Sequence, residues 1–108
     1  MFNMSIQEVD AYALEQMRKQ GEVVLIDVRT EVEFAQGAIQ GSKHIPLHML
    51  PLVSDQLENE KPVIIICRSG ARSAQACAFL GSKGFANVYN LRGGVIGWAQ
   101  AGMALAAA

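Results

Sequence analysis

"PVIIICRSGARSAQACAFLGSKG", residues 62–84, is the stretch that decides the fold. Val63 through Ile66 form a short continuous run of branched apolar residues, the pattern of a strand covered on both faces. Cys67 ends the run, and Arg68, Ser69, Gly70, Ala71 and Arg72 follow as a short polar connection. Gly70 permits a turn that other residues resist. From Ser73 an alanine-rich segment reads as a helix over 73–84, with Gly84 as its C-cap.

Outward from that unit, strands and helices alternate. "VVLIDV", 23–28, is a second doubly covered strand, and "NVYNL" a third. "SIQEVDAYALEQMRKQG" reads as a helix over 5–21, opened by a Ser5/Glu8 capping box with a Met4/Val9 staple and closed at Gly21. Thr30 and Glu33 make another capping box, for a short helix that Gly37 ends. "SKHIP" suggests a brief strand stopped by Pro46. "LHMLPLVSDQLENE" is helical but interrupted at Pro51, which lacks an amide donor. "GVIGWAQAG" is a last helix, with Trp98, Val95 and Ile96 expected to pack on the sheet. The alternation predicts an α/β fold with a parallel, helix-covered sheet, whose ligands gather at the carboxyl ends of the strands. Cys67 stands at such an end. Residues 1–108, without repeat or linker, are expected to form a single domain.

Composition excludes several classes of function. Apolar types make up 51% and charged types 18% of the 108 residues, which suits a folded globule. A net charge of -1 gives no footprint for nucleic acid. The apolar runs are too short for a membrane-spanning helix. The N-terminus has no basic region leading into an apolar run, so no secretory signal is expected and a cytoplasmic, reducing setting is. The apolar tail "AGMALAAA" reads as a frayed end or a small docking segment. Two cysteines make no disulfide scaffold, and none of the cysteines or histidines has zinc-ligand spacing, so neither metal nor cofactor is expected.

The polar loop gives Cys67 its interest. Consecutive N–H groups of a compact turn can form an anion-binding nest. The following helix start adds partial positive charge, and Arg68 and Arg72 add permanent charges. Such surroundings lower a thiol pKa from about 8.5 into the range of roughly 3.5–7.5, leaving a nucleophilic thiolate that also attracts anionic substrates. Cys77, inside the helix among alanines, reads as packing rather than as a resolving thiol. His44 and His48 read as surface or helix-start histidines, since no carboxylate or cysteine is near enough in sequence to suggest a site.

Three ordered motifs then carry a likeness. "LIDVRTEVEFAQGAIQGSKHIP", "CRSGARS" and "LRGGVIGWAQAG" resemble the motifs of the single-domain rhodanese (thiosulfate sulfurtransferase) family, along nearly the whole chain. The family's usual histidine and proline are replaced by Ala38 and Gln40. The resemblance implies a mainly parallel five-stranded sheet with helices on both faces and a persulfide-forming Cys67. It also implies that amides of Arg68, Ser69, Gly70, Ala71, Arg72 and Ser73 cradle the sulfur, with Arg72 and Arg68 gripping the donor. Asp27 and Arg29 match the family's Asp-Val-Arg as supporting residues, a structural partner and a buried ion-pair arginine. The implied partners are a thiosulfate or persulfide donor and a thiol, cyanide or sulfur-carrier-protein acceptor, for a monomer or weak dimer. A non-turnover persulfide carrier is the alternative. Cysteine phosphatases and related arsenate reductases use a loop with five residues between Cys and Arg, whereas four separate Cys67 from Arg72. The shorter loop favours a single sulfur atom over a tetrahedral oxyanion.

Overall fold

Strand pattern and helix caps translate directly into architecture. The computed structural model describes residues 6–107. Its elements are β1 (Glu8–Val9), α1 (Ala11–Gln20), β2 (Val24–Asp27), α2 (Glu31–Ala35), β3 (Lys43–His44), α3 (Leu50–Val53), β4 (Val63–Ile66), α4 (Ala71–Ser82), β5 (Val88–Leu91) and α5 (Gly94–Gln100). The sheet has five strands in the order β1-β5-β4-β2-β3. All four pairings are parallel, with Ile64 beside both Leu25 and Tyr89 at the centre.

Because side chains alternate along a strand, β4 feeds two cores. Val63 and Ile65 face a cluster containing Leu50 of α3 and Ala76, Cys77 and Leu80 of α4. Ile64 and Ile66 face the other side, with Leu14 of α1 and Val95 and Trp98 of α5. All four β4 residues are buried, which explains why this strand reads as an unbroken apolar run. Cys67 continues the alternation on the α4 side.

The N-terminal helix begins later than the sequence suggests. Asp10 is its N-cap, accepting from the Ala13 amide at 2.8 Å. Glu8 and Val9 are extended instead and supply the fifth strand, where the Arg92 amide donates to the Val9 carbonyl at 2.8 Å. Ser5 of the expected capping box, like Met4 of the staple, lies outside the described residues. The Thr30/Glu33 capping box forms as expected. Helix α4 starts at Ala71 rather than Ser73, because Gly70 adopts a left-handed φ of 110° and turns the chain straight into the helix. Gly84, one residue past the C-cap Lys83, has a φ of 97°. Pro51 sits in the first turn of α3, after a 3-10 turn at Leu47–Met49, where its missing amide costs nothing.

The tail docks on its own chain. Ala38 and Ala106 exchange both backbone hydrogen bonds, at 2.9 and 2.7 Å, and the Trp98 indole N–H donates to the Ala104 carbonyl at 2.9 Å. The small Ala38 side chain is buried beneath this pairing. Among the described residues no helix is long and apolar enough to cross a membrane.

Candidate active site

The carboxyl end of β4 delivers Cys67 to the floor of a loop whose rim residues Arg68, Ser69 and Ala71 are exposed. The Gly70 amide donates to Cys67 Sγ at 3.0 Å, and Ser73 Oγ lies 3.2 Å from the same sulfur. Cys67 is only 1% exposed. Burial pushes its thiol up, but the Ser73 hydroxyl and the amides of Ser73, Gly70 and Ser69 outweigh burial and hold it below the ordinary value. Hydrogen bonds, more than the two arginines, do the lowering. This arrangement stabilises an anionic sulfur at position 67.

Ser73 is itself positioned. Its buried hydroxyl meets Asn90 Oδ1 as well as Cys67 Sγ, so one proton serves two acceptors. Asn90, buried on β5, donates from Nδ2 to the Gly70 carbonyl and to Glu8 Oε2, each at 3.1 Å. Strand β5 thus braces both the turn and the serine.

Behind the loop, α5 fixes the backbone. The amides of Val95 and Ile96 donate to the carbonyls of Cys67 and Arg68, at 2.9 and 3.1 Å. Gly94 makes this approach possible: its φ is 58°, and a Cβ there would lie 2.4 Å from the Cys67 oxygen and 2.5 Å from the Arg68 carbonyl. With the carbonyls held outward, the amides are free to face the sulfur.

The remaining expected residues divide into two groups. Asp27 and Arg29 form a buried ion pair: Arg29 Nε is 3.0 Å from both Asp27 oxygens, and its Nη2 is 2.9 Å from Oδ2. The same guanidinium donates to the Gly37 carbonyl at 2.8 Å, tying β2 to the end of α2. Arg72 is brought to the loop but is held by Glu33, with Nη1–Oε1 at 2.7 Å and Nη2–Oε2 at 2.8 Å. Arg68 is exposed and forms no ion pair among the described residues. His44 stacks on Phe34, ring centres 4.4 Å apart, and its Nε2 meets the Arg29 carbonyl at 2.8 Å, while His48 is exposed. Cys77 is buried, and burial pushes its thiol to about 12, so it stays neutral in the core. No group of three or more metal-ligating side chains occurs among the described residues.

Three contributors escaped the reading of the sequence. Asn90 was legible only as a polar interruption of a buried strand, Glu33 only as a helix cap, and Gly94 only as half of a Gly-Gly pair.

Comparison with known proteins identifies the fold and the family. A sulfurtransferase of Allochromatium vinosum is 43% identical over 94% of this chain and 96% of its own length. The thiosulfate sulfurtransferase GlpE of Stutzerimonas stutzeri is 39% identical over 76% of this chain and 74% of its own. The crystal structure of a rhodanese-related protein from Thermoplasma volcanium superposes with a TM-score of 0.86 at 30% identity, covering 94% of this chain and 99% of that one. The rhodanese-like domain model matches residues 10–101, and the chain belongs to the rhodanese-like domain family.

Proposed function

We propose that this chain is a sulfurtransferase that carries sulfane sulfur on Cys67. The observation that carries the reading is the convergence of the Gly70 amide and the Ser73 hydroxyl on Cys67 Sγ, together with the lowered thiol. The names of the relatives support the class of reaction. In the first half-reaction the Cys67 thiolate attacks the outer sulfur of thiosulfate, the S–S bond breaks and its electron pair leaves with sulfite. The product is an anionic persulfide, Cys67–S–S⁻, whose outer sulfur takes up the loop's hydrogen bonds. In the second, a thiolate or cyanide attacks that outer sulfur and Cys67 departs as a thiolate, so thiosulfate and cyanide give sulfite and thiocyanate. Cys67 is the nucleophile, Ser73 and the amides of Ser69, Gly70 and Ser73 are the anion cradle, and Arg68 is the exposed cation that draws the donor in. Asp27 and Arg29 hold the floor.

The test is intact-protein mass spectrometry after incubation with thiosulfate. One added sulfur on Cys67 is expected, lost again with cyanide and absent in Cys67→Ser. An unlabelled Cys67 would mean a sealed thiol and would overturn the reading. Labelling followed by fast delivery to a protein thiol, with negligible turnover on cyanide, would place the chain as a carrier.

A further inference from the structure

The arginine expected to grip the donor is already gripping a carboxylate. Arg72 faces Glu33 fork to fork, the geometry in which a guanidinium also binds a planar or tetrahedral oxyanion. Glu33 does not swing freely: its Oε1 also accepts from the Thr30 amide and hydroxyl, each at 3.0 Å, so the cap of α2 anchors it. Two clefts flank the pair. Arg72 lines one, of about 390 Å³, with Leu47 and His48; Glu33 lines the other, of about 280 Å³, with Arg68 and Ile96. An incoming donor therefore meets a fixed negative charge beside the loop, not two free arginines.

Resting on the sulfurtransferase reading, we propose that Glu33 is a charge-selecting residue. By occupying Arg72 with an anchored carboxylate it weakens binding of doubly charged donors such as thiosulfate and leaves singly charged, organically substituted sulfane donors favoured. The physical ground is simple. Repulsion from Glu33 counts once for each charge on the donor, and the guanidinium edge that would offset it is taken. Glu33 acts through Arg72 and the local field, without touching the transferred sulfur. The carboxylate, held well below its usual range by Arg72 and Thr30, stays charged throughout any assay near neutrality.

Glu33→Gln tests this, because glutamine preserves the capping box while removing the charge. Single-turnover sulfur uptake on Cys67 is followed by mass spectrometry with two donors that share a leaving-sulfur chemistry, thiosulfate and the monoanion methanethiosulfonate. The half-saturating concentration is expected to fall about tenfold for thiosulfate and about threefold for methanethiosulfonate, the squared ratio expected for charges of two and one. The effect falls on the half-saturating concentration rather than on the maximal rate, and shrinks as salt screens it. Glu33→Asp, which keeps the charge, retains the wild-type donor preference. No gain with thiosulfate, or an equal gain with both donors, overturns the proposal. No sulfur uptake by wild type with either donor overturns the sulfurtransferase reading, and the proposal with it.

Discussion

The Ser73 hydroxyl offers the sharpest quantitative test of how the loop tunes its thiol. Ser73→Ala removes the donor 3.2 Å from Cys67 Sγ and leaves the Gly70 amide at 3.0 Å. A hydrogen bond to a charged group contributes about 1.5–3 kcal/mol. At about 1.4 kcal/mol per pKa unit, the Cys67 midpoint should rise by about one to two units. Below both midpoints the thiolate population then falls about tenfold or more. The assay is a thiolate absorbance titration in the ultraviolet, with Cys67→Ser as the blank, because Cys77 ionises only near 12. Sulfur uptake should follow the same curve, its rising limb displaced to higher pH in the variant. The alanine also strands the buried Asn90 Oδ1, so a loss of about 1–3 kcal/mol in stability is expected. An unshifted midpoint in a folded variant would refute the reasoning and assign the lowering to the amides alone.

Gly94→Ala should cost about 3 kcal/mol or more in urea unfolding, since its Cβ would lie 2.4 Å from the Cys67 carbonyl oxygen and its φ of 58° is strained for alanine. A variant as stable as wild type would show that the loop yields easily. Arg29→Met strands the Asp27 carboxylate, which is 0% exposed, and should destabilise by about 3–5 kcal/mol by the same measurement. Glu33 is depressed to about 2 from an ordinary 4.5 by Arg72 and Thr30, so its stabilisation is fully present above pH 4.5 and is lost as pH falls through 2. Allowing for solvent around a side chain 25% exposed, about 1–2 kcal/mol should disappear over that window, and Glu33→Gln should lack this step.

Much of this was legible in the sequence because the signals were local. The β4 run, the Thr30/Glu33 box and Gly70 each act over a few residues, and they placed Cys67 at a strand end above a helix start. The family motif marked Asp27 as a structural partner and Arg29 as a buried ion-pair arginine, without saying that each is the other's partner. What stayed hidden depends on long-range pairing. Whether Glu8–Val9 joins a helix or an edge strand is decided by β5, 82 positions away at Asn90. Arg72 read as a free cation because its partner Glu33 lies 39 positions earlier, and a helix cap gives no hint that its carboxylate reaches another element. The loop amides, the helix start and the two arginines were all legible as sources of the field on the thiol, but their ranking was not, nor was the Ser73 hydroxyl among them.

The contact between α5 and the backs of Cys67 and Arg68 has a consequence for the sulfur-transfer cycle proposed above. A cradle tethered from behind cannot collapse when its cargo leaves, so the vacant and sulfur-loaded proteins should share one loop shape. Reorganisation then adds little to either half-reaction, and the Val95 and Ile96 amides should exchange with deuterated solvent equally slowly in both.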